Sequence, residues 1–255
     1  MLLAVDAGNT HTVLGLFEGQ NLRADWRIAT RTEITADELG VLLHALLTGA
    51  SIDPGVVSGM IVASVVPDLN EALTLTGQRY FHCEPLFVGP GLKTGMPILY
   101  ENPHEVGADR IVNAIAAQAR YGCPVIVLDF GTATTFDVVG PEGQYLGGVI
   151  APGLGASAEA LFHKAARLHR VSIRRPSRVI GRYTEQSLQS GLFHGYTALV
   201  EGLVRRIRDE LGCDAPVVAT GGLAPSFEPE LDFLEAVDLG LTLEGLRMIW
   251  QKNRP

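Results

Sequence analysis

Short apolar runs set apart by turn residues open the chain, and their pattern changes period once before the first third is complete. "LLAVD" (2–6) and "TVLGLF" (12–17) read as two strands around a Gly-Asn-Thr turn, with a third strand near "LRADWRIA". Leu39, Leu42, Leu43, Leu46 and Leu47 then recur at helical spacing, with Thr35 placed as N-cap and Asp37 and Glu38 in the first turn. "GMIVASVVP" predicts a buried strand, "DLNEALTLTGQRYF" a helix, and "PLFVGPGLKTGMP" a short strand running into a Gly/Pro-rich loop. The second half repeats this order. Strand "PVIVLD" is followed by a hairpin partner "TTFDVV", a third strand "QYLGGVIAP" and a helix "GASAEALFHKAARL". A long helix over roughly 185–211, a strand "PVVATG" and a last helix near "LTLEGLRMIWQ" complete the reading.

The two halves share more than element order. "VDAGNTHTVLGLFEGQ" aligns with "LDFGTATTFDVVGPEGQ", placing Asp6 with Asp129, Gly8 with Gly131 and Thr12 with Thr135. Taken singly, each copy could be a hairpin whose Gly and Asp merely form a turn. Two copies in matching contexts favour a phosphate cradle, because backbone N–H groups can converge on an anion only where side chains are small or absent. Gly8 and Gly131 supply that approach, and Thr10, Thr12, Thr132, Thr134 and Thr135 add hydroxyls. Two carboxylates beside a polyphosphate would repel it, so the arrangement implies Mg²⁺ or another cation between acid and nucleotide.

Other phosphate-binding patterns fit less well. "GPGLKTG" (89–95) has Leu92 where a Walker A loop requires Gly, and "GLGASA" (153–158) matches a dinucleotide fingerprint but lacks the acidic residue expected about 20 positions on. "YENPHEVGADRIVNAIAAQA" (100–119) predicts a loop bent by Pro103 and Gly107 into a helix whose first turn holds Asp109 and Arg110, with Ile111, Ala114 and Ile115 buried. Asp109 could be a helix-dipole acid beside a surface arginine. In the functional alternative it accepts a proton from a substrate hydroxyl while Arg110 pairs with a substrate carboxylate. His11 reads as a solvent-facing turn residue, and His44, His163 and His169 as helix or loop residues.

Composition narrows the class. Of the 255 residues 47% are hydrophobic and 19% charged, which describes a folded protein with a core. A net charge of -8 with no Lys/Arg run argues against nucleic acid or an anionic membrane as partner, leaving "RVSIRRPSR" as a solvated basic loop. Cys83, Cys123 and Cys213 follow neither disulfide nor zinc spacing, and no apolar run approaches a membrane span, so a cytoplasmic protein is expected.

The segments "DAGNT", "ENPHEVGADRIVNA", "LDFGTATTFDV", "GGVIAPG", "LQSG" and "ATGG" together resemble the type III pantothenate kinases of the acetate and sugar kinase/Hsp70/actin superfamily, in the same order over nearly the whole chain. The resemblance implies an α/β fold of duplicated ribonuclease H-like (actin-like ATPase) domains, each a mixed five-stranded sheet flanked by helices. The halves would be 1–120, with the first phosphate loop and the substrate loop, and 121–255, with the second phosphate loop and a dimer interface. It implies ATP at Asp6, Ala7, Gly8, Asn9, Thr10, His11, Thr12 and Val13, with Thr132 from the second loop. A monovalent cation, K⁺ or NH₄⁺, would sit at Asp129, alongside Mg²⁺. Pantothenate would meet Tyr100, Gly107, Ala108, Asp109 as proton acceptor, Arg110 and Thr184, in a homodimer whose interface helps form the pocket. Two other classes stay open: a related sugar or carboxylate kinase, and a non-catalytic nucleotide-binding regulator.

Overall fold

The structure, a computed structural model, describes residues 1–164 and 170–253. The first elements are β1 (Leu2–Ala7), β2 (His11–Glu18), β3 (Asn21–Ala29), α1 (Ala36–Gly49), β4 (Gly59–Ser64), α2 (Pro67–Tyr80), β5 (Leu86–Phe87) and α3 (Ala108–Tyr121). They are followed by β6 (Val125–Phe130), β7 (Ala133–Val139), β8 (Tyr145–Pro152), α4 (Leu154–Lys164), α5 (Thr184–Leu211), β9 (Val217–Thr220), α6 (Ala224–Phe227), β10 (Leu234–Val237) and α7 (Leu241–Asn253). The chain folds into two units, Met1–Arg120 with Gly240–Pro255, and Tyr121–Leu239. None of the described helices is long and apolar enough to cross a membrane.

In the first unit the sheet order is β3-β2-β1-β4-β5, with β1 antiparallel to β2 and parallel to β4. The helix expected from the leucine spacing is α1, and it buries Leu39, Leu43 and Leu47. Its start is fixed as the sequence requires. Thr35 accepts the Glu38 amide at 3.2 Å while the Glu38 carboxylate accepts the Thr35 amide at 2.9 Å, a reciprocal cap of the kind that is worth about 1 kcal/mol. One expectation is corrected. The last helix, α7, expected in the half 121–255, packs on β1, β2 and β4 in the first unit. The reason is steric complementarity: a side chain at Gly59 of β4 would fall 2.4 Å from the Trp250 ring, and one at Gly245 would fall 2.1 Å from the Val112 carbonyl of α3.

The second unit repeats the plan, with order β10-β9-β6-β7-β8, β6 antiparallel to β7 and parallel to β9. Apolar residues of β6 and β9 pack with Phe193, Tyr196 and Val200 of α5 and with Phe227 of α6, whose ring stacks on Phe130 and Phe193. Neither α6 nor β10 was expected from sequence: α6 is one turn, and β10 is four residues with a register shift between Leu234 and Ala236. Residues 165–168 of the expected helix "GASAEALFHKAARL", and His169, lie outside the described residues. Both sheets are therefore ribonuclease H-like, each with its first hairpin beside a central parallel pair.

Candidate active site

Each sheet sets an aspartate one residue before the end of its first strand. Asp6 lies between Val13 of β2 and Ala63 of β4, and Asp129 between Thr135 of β7 and Thr220 of β9. Both are half-buried. The Gly8 amide donates to the His11 carbonyl at 3.1 Å, and the Gly131 amide to the Ala133 carbonyl at 3.1 Å. The two glycine amides thus close their own turns. What the glycines offer a ligand is a bare Cα, since a side chain at Gly8 would sit 3.0 Å from the His11 carbonyl.

The second turn is one residue shorter than the first, which corrects the alignment of the repeats. Asp6 pairs with Val13 and Asp129 with Thr135, so Thr12 corresponds to Thr134 and not to Thr135. Both of these threonines are buried, at 3% and 0% exposure, whereas the turn tips Asn9, Thr10 and Thr132 are exposed. Their hydroxyls brace the turns from behind. Thr12 bonds Thr30 at 2.9 Å, and Thr30 in turn donates to the Gly8 carbonyl at 2.6 Å. Thr134 bonds the Tyr196 hydroxyl of α5, whose acidity is lowered by burial.

Sequence reading missed Thr30 and Tyr196, and gave no role to two glycines that shape the second turn. A side chain at Gly153 would fall 2.3 Å from the Thr132 carbonyl and 2.7 Å from that of Gly131. Gly221 has φ +90, and a side chain there would fall 2.5 Å from Asp129 Oδ1 and 2.7 Å from the Phe130 amide nitrogen. The quoted segments "GGVIAPG" and "ATGG" carried this signal without its geometry. Among the described residues no three His, Cys, Asp or Glu side chains converge as a metal site. The neighbourhood of Asp129 nevertheless suits a hard cation: one carboxylate between two threonines, pressed on a glycine that leaves room for nothing larger than hydrogen.

The segment 100–110 lies in the first unit. Asn102 caps the single turn Pro103–Glu105, Tyr100 is half-buried, and Gly107 leads into α3. Asp109 Oδ1 accepts the Arg110 amide at 2.9 Å, and a side chain on Gly107 would fall 2.5 Å from that same oxygen, so Gly107 is needed for the carboxylate's position. Burial pushes the Asp109 pKa up, against the lowering pull of the Arg110 amide and its charge. Arg110 is 7% exposed, which removes the surface-arginine alternative. Ile111, Ala114 and Ile115 are buried as expected. Thr184, the first residue of α5, is exposed in the second unit, as are His11 in the first unit and His163 on α4; His44 instead packs against Tyr80 and Phe81.

Duplicated ribonuclease H-like sheets, each carrying an aspartate ahead of a Gly/Thr hairpin, give the chain an actin-like ATPase fold. Solved structures agree on the fold: a conserved candidate Baf family transcriptional activator from Campylobacter jejuni superposes at TM-score 0.62 with 20% identity over 98% of both chains. The ethanolamine utilization protein EutJ from Carboxydothermus hydrogenoformans does so at TM-score 0.56 with 13% identity, over 97% of this chain and 89% of that one. The family follows from sequence. The chain belongs to the type III pantothenate kinases, whose family profile matches residues 2–206. It is 54% identical to the type III pantothenate kinase of Myxococcus xanthus over 99% of each chain, and 54% identical to that of an Anaeromyxobacter species over the full length of both.

Proposed function

We propose that the chain transfers the γ-phosphoryl group of ATP to the hydroxyl of pantothenate, giving 4′-phosphopantothenate, the first intermediate toward coenzyme A. The observation that carries this reading is full-length family identity with the Myxococcus xanthus kinase. Residues Asp6–Val13 receive the ATP phosphates at the first hairpin, and Thr132 adds its exposed hydroxyl at the second. Asp129 holds K⁺ or NH₄⁺, a role supported by its threonine neighbours. Bound cations, Mg²⁺ included, would supply the positive charge that lets two carboxylates stand beside a polyphosphate.

Asp109 accepts the proton of the attacking hydroxyl. An ordinary aspartate is a weak base, and burial strengthens it in the direction the reaction needs. Arg110 pairs with the substrate carboxylate from an enclosed position, where such a pair is stronger than in water. Tyr100, Gly107 and Ala108 line the substrate side, and Thr184 contacts substrate. The acid limb of the pH profile of kcat/KM for pantothenate is expected above the usual aspartate value of about 3.9. A limb at or below that value in a titration of initial rates would remove Asp109 from this role.

The protein acts as a homodimer in the cytoplasm. Support for the dimer comes from β8, an edge strand whose outward positions Leu146, Gly148, Ile150 and Pro152 are all exposed and uncharged. Ile150 alone is 62% exposed. Placing a charge in that stripe with Ile150→Glu should shift the protein to monomer in light scattering coupled to size exclusion, whereas an unchanged mass would move the interface elsewhere. The substrate assignment is tested with a panel of hydroxyl acceptors and a coupled ADP readout. Pantothenate should exceed sugars and short hydroxycarboxylates by orders of magnitude in kcat/KM, and equal turnover of a sugar would replace the assignment.

A further inference from the structure

The Gly/Pro-rich loop after β5 is tied to the last turn of α7, a region beyond the residues that the family profile matches. The Lys93 amide donates to Asn253 Oδ1 at 2.9 Å, and Asn253 Nδ2 donates back to the Lys93 carbonyl at 3.0 Å. One side-chain amide thereby pairs with both backbone groups of a single residue, as a neighbouring strand would. The second Nδ2 hydrogen is held by the Ile249 carbonyl at 2.8 Å, which fixes the amide on its own helix. Lys252 Nζ donates to the next carbonyl, that of Thr94, at 3.1 Å.

Beyond this grip the loop turns sharply and anchors itself. Gly95 has φ +76, where an added side chain would fall 1.9 Å from Lys252 Nζ, so the ammonium occupies the space that glycine leaves. The Thr94 hydroxyl accepts the Met96 amide at 3.3 Å and donates to the Met96 carbonyl at 3.1 Å, and the Met96 side chain is buried. Tyr100 follows four residues later and Gly107–Arg110 after that. In the first ATP hairpin the Gly8 amide donates to the His11 carbonyl, and the Thr30 hydroxyl donates to the Gly8 carbonyl.

We propose that Asn253, with Lys252, is a positioning residue for the pantothenate-binding segment: it fixes where the chain enters residues 100–110, its side-chain hydrogen bonds going to Lys93 and to its own helix. This rests on the pantothenate kinase reading for its kinetic consequence, but the grip itself can be measured without it. Asn253 suits this double bond because it offers a donor and an acceptor at one reach; Asn253→Ala loses both, and Asn253→Asp keeps only the acceptor.

Asn253→Ala and Asn253→Asp in the full chain are compared with wild type by hydrogen exchange and steady-state kinetics. In Asn253→Ala the amides of 93–99 should exchange at least about tenfold faster. Its KM for pantothenate should rise about tenfold, while KM for ATP and kcat stay within about twofold, the split a lost ground-state contact produces. Asn253→Asp should fall between. Unchanged exchange overturns the grip, and an equal rise in both KM values, or none in that for pantothenate, overturns the positioning role. A wild-type protein that does not turn over pantothenate would instead refute the kinase reading, with the exchange result still deciding the grip.

Discussion

Replacing Asp109 by asparagine is expected to lower kcat by about 10²–10⁴, the contribution of a positioned general base, without loss of stability. The second half of that expectation follows from burial. The folded-state pKa of Asp109 lies above its ordinary value because desolvation of the carboxylate outweighs the help it receives from Arg110. The native state therefore holds the proton more tightly than the unfolded chain does. Stability falls as pH rises through the interval between the two values, and at neutral pH the ionised side chain carries the full cost. Asparagine removes the charge and keeps an oxygen to accept the Arg110 amide. The melting temperature at pH 7 should be equal or higher while turnover collapses. A variant that melts much lower would mean that the carboxylate holds the helix start together, and one of normal activity would mean that the base lies elsewhere.

The second large effect is expected at Gly221. An alanine there meets three obstacles together: a backbone at φ +90 that disfavours any Cβ, the Phe130 backbone at 2.7 Å and Asp129 Oδ1 at 2.5 Å. The conformational part alone costs ~1–3 kcal/mol, and the clash can be relieved only by moving β6 or the carboxylate. Urea denaturation should show a lower midpoint. Activity at saturating pantothenate should need more K⁺ or NH₄⁺, because Asp129 is displaced. Gly153→Ala is the matched comparison, since it strains no backbone torsion but strikes the Thr132 and Gly131 carbonyls at 2.3 and 2.7 Å. It should raise KM for ATP with a smaller loss of stability. A Gly221→Ala protein as stable as wild type, with the same cation dependence, would separate Asp129 from the cation.

The features legible in the sequence are those whose signal is local. Leucine spacing and the Thr35 cap located α1, the alternation around Asp6 and Asp129 located both hairpins, and Pro103 with Gly107 located the start of α3. What escaped depends on contacts between distant segments. Only the Trp250–Gly59 and Gly245–Val112 fits place α7 on the first sheet, and neither glycine announces its partner. The run "TATT" offers two threonines to match Thr12, and the choice of Thr134 follows from a turn shortened by one residue, which the strand pairing reveals. Thr30, Tyr196, Gly153 and Gly221 lie far in sequence from the turns they support. For Arg110 the sequence leaves a surface pair and a substrate group both open, and only its burial removes the first.

The central claim, phosphorylation of pantothenate at the expense of ATP, is tested most directly by following ADP and 4′-phosphopantothenate together in one reaction. With ATP, Mg²⁺, K⁺ and pantothenate all present, wild-type protein should form the two products one for one, and omission of pantothenate should stop both. ADP released at the same rate without pantothenate, or no phosphopantothenate under any of these conditions, would contradict the account.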